Sequence, residues 1–293
     1  MSFKSWESET SNLGTILPTK LNLRRSRHQV VQLLIRVSKD LYGVVMKLPE
    51  IETALSNPDF QYRLKAISAL KAYDPDTAVP ILIATLKDPE FLVRSFVARG
   101  LGTQQTAASF AALLEMTKFD DTPNVRAEAA NSLSLFGQVS ISHLVSVFCQ
   151  DDHWLVRRSI LAALEELDCP QELVEVCTEA LTGEDLTVQE AAIDSLASLA
   201  DSSHHADVLD RLLTLAGAQS PRLRTRVAHA LQKFDEPQAQ SALIELRQDT
   251  DLQVVAAALE DLFDRWVDSI AIFGARGLIM PKSFYFVDYL CYI

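Results

Sequence analysis

The chain has 293 residues, 48% hydrophobic and 23% charged, with only 9 Gly and 11 Pro. That usage rules out a disordered polymer or a collagen-like fibre and supplies too few turn residues for a sandwich or barrel. The net charge of −12, from 39 acidic and 27 basic residues, argues against nucleic acid as a partner, because phosphate backbones are held mainly by Lys and Arg.

Residues 1–28 are polar, carry five basic and two acidic side chains, and show no sustained apolar period, so a mobile N-terminal extension is expected there. From 29 to 56 the apolar spacing returns through Val30, Leu33, Leu34, Val37, Val44, Val45 and Leu48, which predicts N-terminal capping helices.

Residues 57–265 repeat. An apolar residue precedes an Arg site, and Leu follows seven residues after that site. The instances are Tyr62-Arg63 with Leu70, Val93-Arg94 with Leu101, Val125-Arg126 with Leu133, and Val156-Arg157 with Leu164. Val188-Gln189 with Leu196, Leu223-Arg224 with Leu231, and Val254-Val255 with Leu262 complete the series, in steps of 31, 32, 31, 32, 35 and 31 residues. Small or apolar residues at the third and fourth positions after the Arg site join the Leu on one helical stripe. A second apolar-periodic segment precedes each of these helices, for example Ala78 to Leu86, Ile141 to Phe148 and Leu173 to Leu181. Each unit is therefore a helix pair, and a pair of about 31 residues cannot bury its stripe alone. The predicted fold is all-α, an α-solenoid (superhelix) of about seven helix pairs with atypical ends.

Asp or Asn stands six residues before the Arg site in five units, as Asn57, Asp88, Asp120, Asp151 and Asp249. A carboxylate at the turn can accept from the Arg of its own or the next unit, so a ladder of charge-assisted bonds fixing the register is expected, the alternative being that those arginines serve a ligand.

These repeats resemble HEAT-type repeats, and in particular the short HEAT-like repeats of the phycobilin lyase family found in phycobilisome-containing organisms. The strings Asp152-His153-Trp154-Leu155-Val156-Arg157-Arg158-Ser159-Ile160-Leu161-Ala162-Ala163-Leu164 and Val188 to Leu196 resemble most the non-bleaching-B type subgroup implicated in phycobilisome degradation. The resemblance implies a phycobiliprotein client, a paired HEAT-repeat subunit, and a transient tetrapyrrole contact. HEAT-like repeats also occur in deoxyhypusine hydroxylase, whose iron ligands require His-Glu pairs, and no His-Glu dipeptide occurs here.

Residues 266–293 leave the pattern and hold seven of the 22 aromatics. They read either as a tail that caps the last repeat, because terminal repeats must cover an otherwise exposed apolar end, or as an aromatic peptide that docks on a partner. Gly274, Gly277 and Pro281 interrupt the run, and no span of about 18 apolar residues occurs, so no membrane span is expected. The cysteines Cys149, Cys169, Cys177 and Cys291 have no C-x-x-C spacing. Three of them fall in apolar-periodic segments that predict buried free thiols, and a cytoplasmic location follows from that and from the lack of a secretory signal.

Phosphate-binding, serine-hydrolase and zinc-peptidase motifs are missing from the sequence, so no catalytic residue, metal or resident cofactor is assigned. His204-His205 with Asp201 and Asp207 reads as an inter-helix loop. Phe60, Phe91 and Trp154 share one register, three before the Arg. They form either a hydrophobic staple or inter-repeat packing, or else a row to which a protein helix or flat tetrapyrrole binds, with His153, Trp154 and Arg158 at its centre. Arg222 and Arg226, with Arg224, form a cationic cluster able to grip a carboxylate or phosphate, or else a solvated face. The partner-binding set is thus Phe60, Phe91, His153, Trp154, Arg158, Arg222 and Arg226. A protein-binding adaptor acting in phycobilisome assembly or degradation is the first functional reading. A lyase or chromophore-detaching subunit acting on the bilin–cysteine thioether is the second, and a general assembly scaffold the third.

Overall fold

The computed structural model describes residues 46–260. The chain divides into two compact units, 1–53 and 54–293. The expected N-terminal extension, the residues 29–45 of the capping segment, the aromatic tail 266–293 and Cys291 lie outside the described residues.

Thirteen α-helices are complete among the described residues, and no strand occurs among them. Leu48–Leu55 is α1, Phe60–Ala69 α2, Pro75–Ala84 α3, Phe91–Gln104 α4 and Ala107–Phe119 α5. Pro123–Ser134 is α6, Ile141–Gln150 α7, Trp154–Glu165 α8, Pro170–Thr182 α9 and Leu186–Ser198 α10. His205–Leu215 is α11, Pro221–Leu231 α12 and Pro237–Leu246 α13, and a further helical stretch, α14, covers 252–260. The even-numbered helices carry the Arg register and are called B helices; the odd-numbered ones are A helices.

Local chemistry sets these ends. Pro75, Pro123, Pro170, Pro221 and Pro237 stand in the first turn of their helices, where the missing N–H costs nothing and the fixed φ suits a helix. Asp59, Asp74, Thr106 and Asp185 cap α2, α3, α5 and α10 by accepting from backbone N–H groups two or three residues on. The helix α3 starts earlier than its apolar stripe suggests, at Pro75 rather than Ala78, because a polar capped turn precedes the first buried residue, whereas α7 starts with its stripe at Ile141.

In the unit 54–293 the B helices lie against one another in sequence, α2 on α4, α4 on α6, α6 on α8, α8 on α10 and α10 on α12. The A helices contact each other less and cover the B layer from one side. The stripe read from the sequence is the core: Val93, Val97, Ala98 and Leu101 are fully buried, as are Val125, Ala129, Ala130 and Leu133. Val227, Ala228 and Leu231 repeat the pattern in α12. Close stacking needs small residues at the crossings. A Cβ added to Gly102 on α4 would meet the Cβ of Ser132 at 2.8 Å and its backbone at 3.1 Å, so a larger residue there would push α4 and α6 apart.

Two expectations fail. Tyr62 occupies the apolar register position but is 49% exposed, and Lys65 Nζ lies 5.4 Å from its ring centroid. The following Arg63 is the buried member of that pair of residues. Cys169 and Cys177 are buried free thiols, whereas Cys149 is exposed at the end of α7, one position past the buried Phe148. Burial pushes the Cys169 thiol up to about 11, with Glu172 and Asp168 adding to the shift, and burial raises Cys177 as well.

Candidate functional site

The edge formed by the A-to-B turns is organised by the expected ladder. Arg63 Nε donates to Asp88 at 2.7 Å and its Nη2 to the same carboxylate at 2.9 Å. Arg94 grips Asp120 at 2.7 and 3.0 Å, Arg126 grips Asp151 at 2.6 and 3.2 Å, and Arg224 grips Asp249 at 2.6 and 2.8 Å. In each case the partner is the carboxylate of the following unit. The remaining nitrogen, Nη1, donates to a backbone carbonyl of the arginine's own turn, such as Asn57, Asp88, Asp120 or Ala218. Each arginine therefore ties two consecutive turns together. The carboxylates do a second task, accepting from the backbone N–H two residues on at Glu90, Thr122, His153 and Asp251. The arginine side chains of these rungs are 11–16% exposed and the aspartates 6–10%. Their hydrogen bonds hold the guanidinium pKa values above the ordinary arginine value.

Shallow grooves recur at this edge, one of about 430 Å³ beside the Arg126–Asp151 rung and one of about 650 Å³ beside Arg224–Asp249. The opposite edge is tied by glutamines, since Gln105 donates to the Leu135 carbonyl at 2.7 Å and Gln138 to that of Asp168 at 3.0 Å.

Phe60, Phe91 and Trp154 are the first residues of α2, α4 and α8, directly after the capping residues Asp59, Glu90 and His153. A staple requires an apolar residue before the cap, so these three do not form staples. Phe60 is half-buried, while Phe91 and Trp154 remain 36% and 41% exposed. His153 caps α8 by accepting from Leu155 N–H at 3.2 Å through Nδ1, and its ring stacks on Trp154 with centroids 5.9 Å apart. Arg158 is exposed one turn further along α8. Leu92, beside Phe91, is exposed too, and so is Phe119, which ends α5 and lines the groove at Asp151 and Asp152. Phe119 was missed in sequence because it falls off the buried stripe of its helix.

Arg222 and Arg226 do not join this edge. They project from α12 onto α10, where Arg222 pairs with both oxygens of Glu190 at 2.7–2.8 Å and Arg226 with Asp194 at 3.4 Å. Arg99 reaches Glu128 in the same way from α4 to α6. The two α12 arginines thus answer part of the run from Ser159 to Asp210, which has 13 acidic residues and no Lys or Arg.

The His204-His205 segment is partly helical, with His205 opening α11. Both ring nitrogens of His205 face acceptors, Nδ1 the Ala200 carbonyl and Nε2 the Glu236 carboxylate, and its ring leans on Phe234. The Ala200 carbonyl and then Glu236 raise the His205 pKa, and the bond from His205 lowers that of Glu236. The histidine contribution to stability is complete below about pH 6.5 and fades as pH rises through the raised folded value. The glutamate contribution is present above about pH 4.3 and fades as pH falls through its lowered folded value. This contact is therefore strongest between those limits. The urea midpoint of the native chain should decline as pH rises from about 6.5 through the raised His205 value, and His205→Gln should flatten that decline; an unchanged decline would place the titrating group elsewhere.

Stacked antiparallel helix pairs with a register ladder define an α-solenoid repeat protein. The sequence matches HEAT repeats over residues 48–134, 86–165 and 174–262, and the chain belongs to the HEAT-repeat family. Its fold is similar to that of YibA from Escherichia coli, at 15% identity and a TM-score of 0.54, covering 85% of this chain and 91% of that one. The complex of CpcE and CpcF of phycocyanin lyase from Nostoc sp. PCC7120 matches at 18% identity and a TM-score of 0.43, over 76% and 89% of the two chains. Human deoxyhypusine hydroxylase matches at 17% identity and a TM-score of 0.32, over 80% and 98%. No curated protein matches the sequence.

Proposed function

We propose that this chain is a protein-binding scaffold whose client docks along the A-to-B edge, and that the client is a phycobiliprotein handled during phycobilisome assembly or degradation. The observation that supports it best is the pair of exposed aromatics in one register, Phe91 and Trp154, on a rigid edge held by the arginine rungs. Exposed apolar clusters mark interaction sites, and Trp and Arg carry interface energy more often than other residues. The phycobiliprotein setting is supported by the resemblance of the Asp152 to Leu164 string to repeats of phycobilisome-linked proteins. A tetrapyrrole contact and a paired subunit belong to the same proposal.

The double substitution Phe91→Ala with Trp154→Ala tests it. Capture of a holo-phycobiliprotein should weaken by roughly thirtyfold or more, the equivalent of about 2 kcal/mol at a hot spot. Helical content and bilin absorbance should not change. Full capture by the double variant would reject the docking edge, and loss of helix would assign both aromatics to the core. Altered bilin absorbance in the native mixture would replace the adaptor with the lyase or detaching reading.

A further inference from the structure

The ladder has a gap, and the gap is asymmetric. After the Arg126–Asp151 rung, Arg157 occupies the next arginine position, but the residue where a rung aspartate should stand is Gly183. One unit later both members are neutral: Gln189 replaces the arginine and donates to the Leu181 and Gly183 carbonyls, and Ala218 replaces the aspartate. At Gln189 the charge is lost from both sides, whereas at Arg157 only the acid is lost.

Glycine is not required at 183 by the backbone. Its φ of −72° and ψ of 171° suit any residue. A Cβ placed there would lie 3.4 Å from the Ala180 carbonyl and 3.7 Å from Arg157 Nη1, which are ordinary contacts. The consequence of the missing side chain is an open guanidinium. Arg157 Nε donates to the Asp151 carbonyl at 2.7 Å, and its Cζ lies over the buried Phe148 ring, 5.2 Å from the centroid. The two terminal nitrogens have no hydrogen-bond partner among the described residues. Arg157 is nonetheless half-buried, and a part-buried guanidinium gains from a carboxylate that meets it with paired hydrogen bonds.

We propose that Arg157 is a receptor for a carboxylate supplied from outside, an Asp or Glu side chain of a protein partner that completes the missing rung. This deepens, and rests on, the reading of the edge as a docking surface. The four filled rungs show what this arginine position binds in this fold. Trp154 stands three residues earlier on α8 and Arg158 one later, so an apolar residue beside the incoming acid meets the indole. The occupant is a peptide segment rather than a small anion. Asp152 and Glu184 are exposed at the same turns and repel a bare carboxylate, so apolar contact with Trp154 must add to the charge pairing.

The test uses the full chain, isotopically labelled, with the Arg157 Nε–Hε resonance assigned through Arg157→Lys. The probes are Ac-Leu-Asp-Leu-Leu-amide, its Asn counterpart, and sodium acetate. The Asp peptide should shift Arg157 saturably, the Asn peptide should bind about tenfold more weakly, and acetate at equal concentration should move the resonance less. Gly183→Asp should fill the rung internally, turn Arg157 Nε from the Asp151 carbonyl to the new carboxylate as in the four filled rungs, shift its resonance accordingly, and abolish the peptide response. If that variant does not fold, Arg157→Gln should abolish binding in its place. Equal binding of Asp and Asn peptides, no shift of Arg157, an acetate response as large as that of the peptide, or binding retained in Gly183→Asp or Arg157→Gln each overturns the proposal. A phycobiliprotein that perturbs the Trp154 indole while leaving Arg157 unmoved would refute the carboxylate seat and keep the docking edge.

Discussion

Asp120→Ala should destabilise the chain by about 3 kcal/mol, because removing one partner of a buried pair leaves the other charge uncompensated. Asp120 receives Arg94 through two nitrogens and the Thr122 N–H, and its side chain is 9% exposed. After the substitution, Arg94 keeps the Asp88 carbonyl and Thr122 Oγ1, which satisfy donors without balancing charge. Asp120→Asn preserves an acceptor for Thr122 N–H and isolates the loss of charge, so its effect should be smaller. Urea unfolding followed by circular dichroism measures both. Equal and small losses would mean that the rungs set geometry while contributing little to stability.

Phe148→Ala should cost about 3–5 kcal/mol, the range for removing a buried aromatic ring when the cavity cannot collapse. Phe148 is fully buried on α7 and lies beneath the Arg157 guanidinium, so the variant loses both core packing and the support of the open rung. In a stack held by nearest-neighbour contacts, damage to one unit reaches its neighbours first. Hydrogen exchange should therefore show α7 and α8 losing protection first, the flanking α5, α6, α9 and α10 next, and α2 and α12 last. Uniform loss across the chain would contradict that one-dimensional coupling.

Much of this architecture was legible in the sequence because the register is strict. The Val–Arg and Leu positions recur with nearly constant spacing, and Val93, Val125 and Val156 with their leucines are the buried stripe. The Arg–Asp ladder was legible too, since charge partners recur six residues apart, but the sequence left open whether a rung closes within a unit or onto the next. The structure closes it onto the next through Arg63–Asp88 and its three counterparts, because the fork reaches its own turn only through one nitrogen.

Less visible were features that depend on contacts between units. Arg222 and Arg226 read as a solvated face first and a ligand grip second, with no partner named until α10 placed Glu190 and Asp194 opposite them. Tyr62 kept the apolar letter of its register but not its burial. The pairing of His205 with Glu236 spans 31 residues and has no local signature, since it joins the start of one A helix to the turn before the next. Gly183 and Ala218 were legible as departures from the Asp register, yet their meaning depended on seeing that Arg157 had lost its acceptor while Gln189 had found others.

Hydrogen exchange of the full chain, alone and with a saturating holo-phycobiliprotein, tests the docking account most directly. The account predicts added protection at the turns and first helical residues around 89–95 and 151–158, with the outward faces of α5 and α9 unchanged and the bilin absorbance preserved. Protection confined to the A helices, or none at any position, would contradict it.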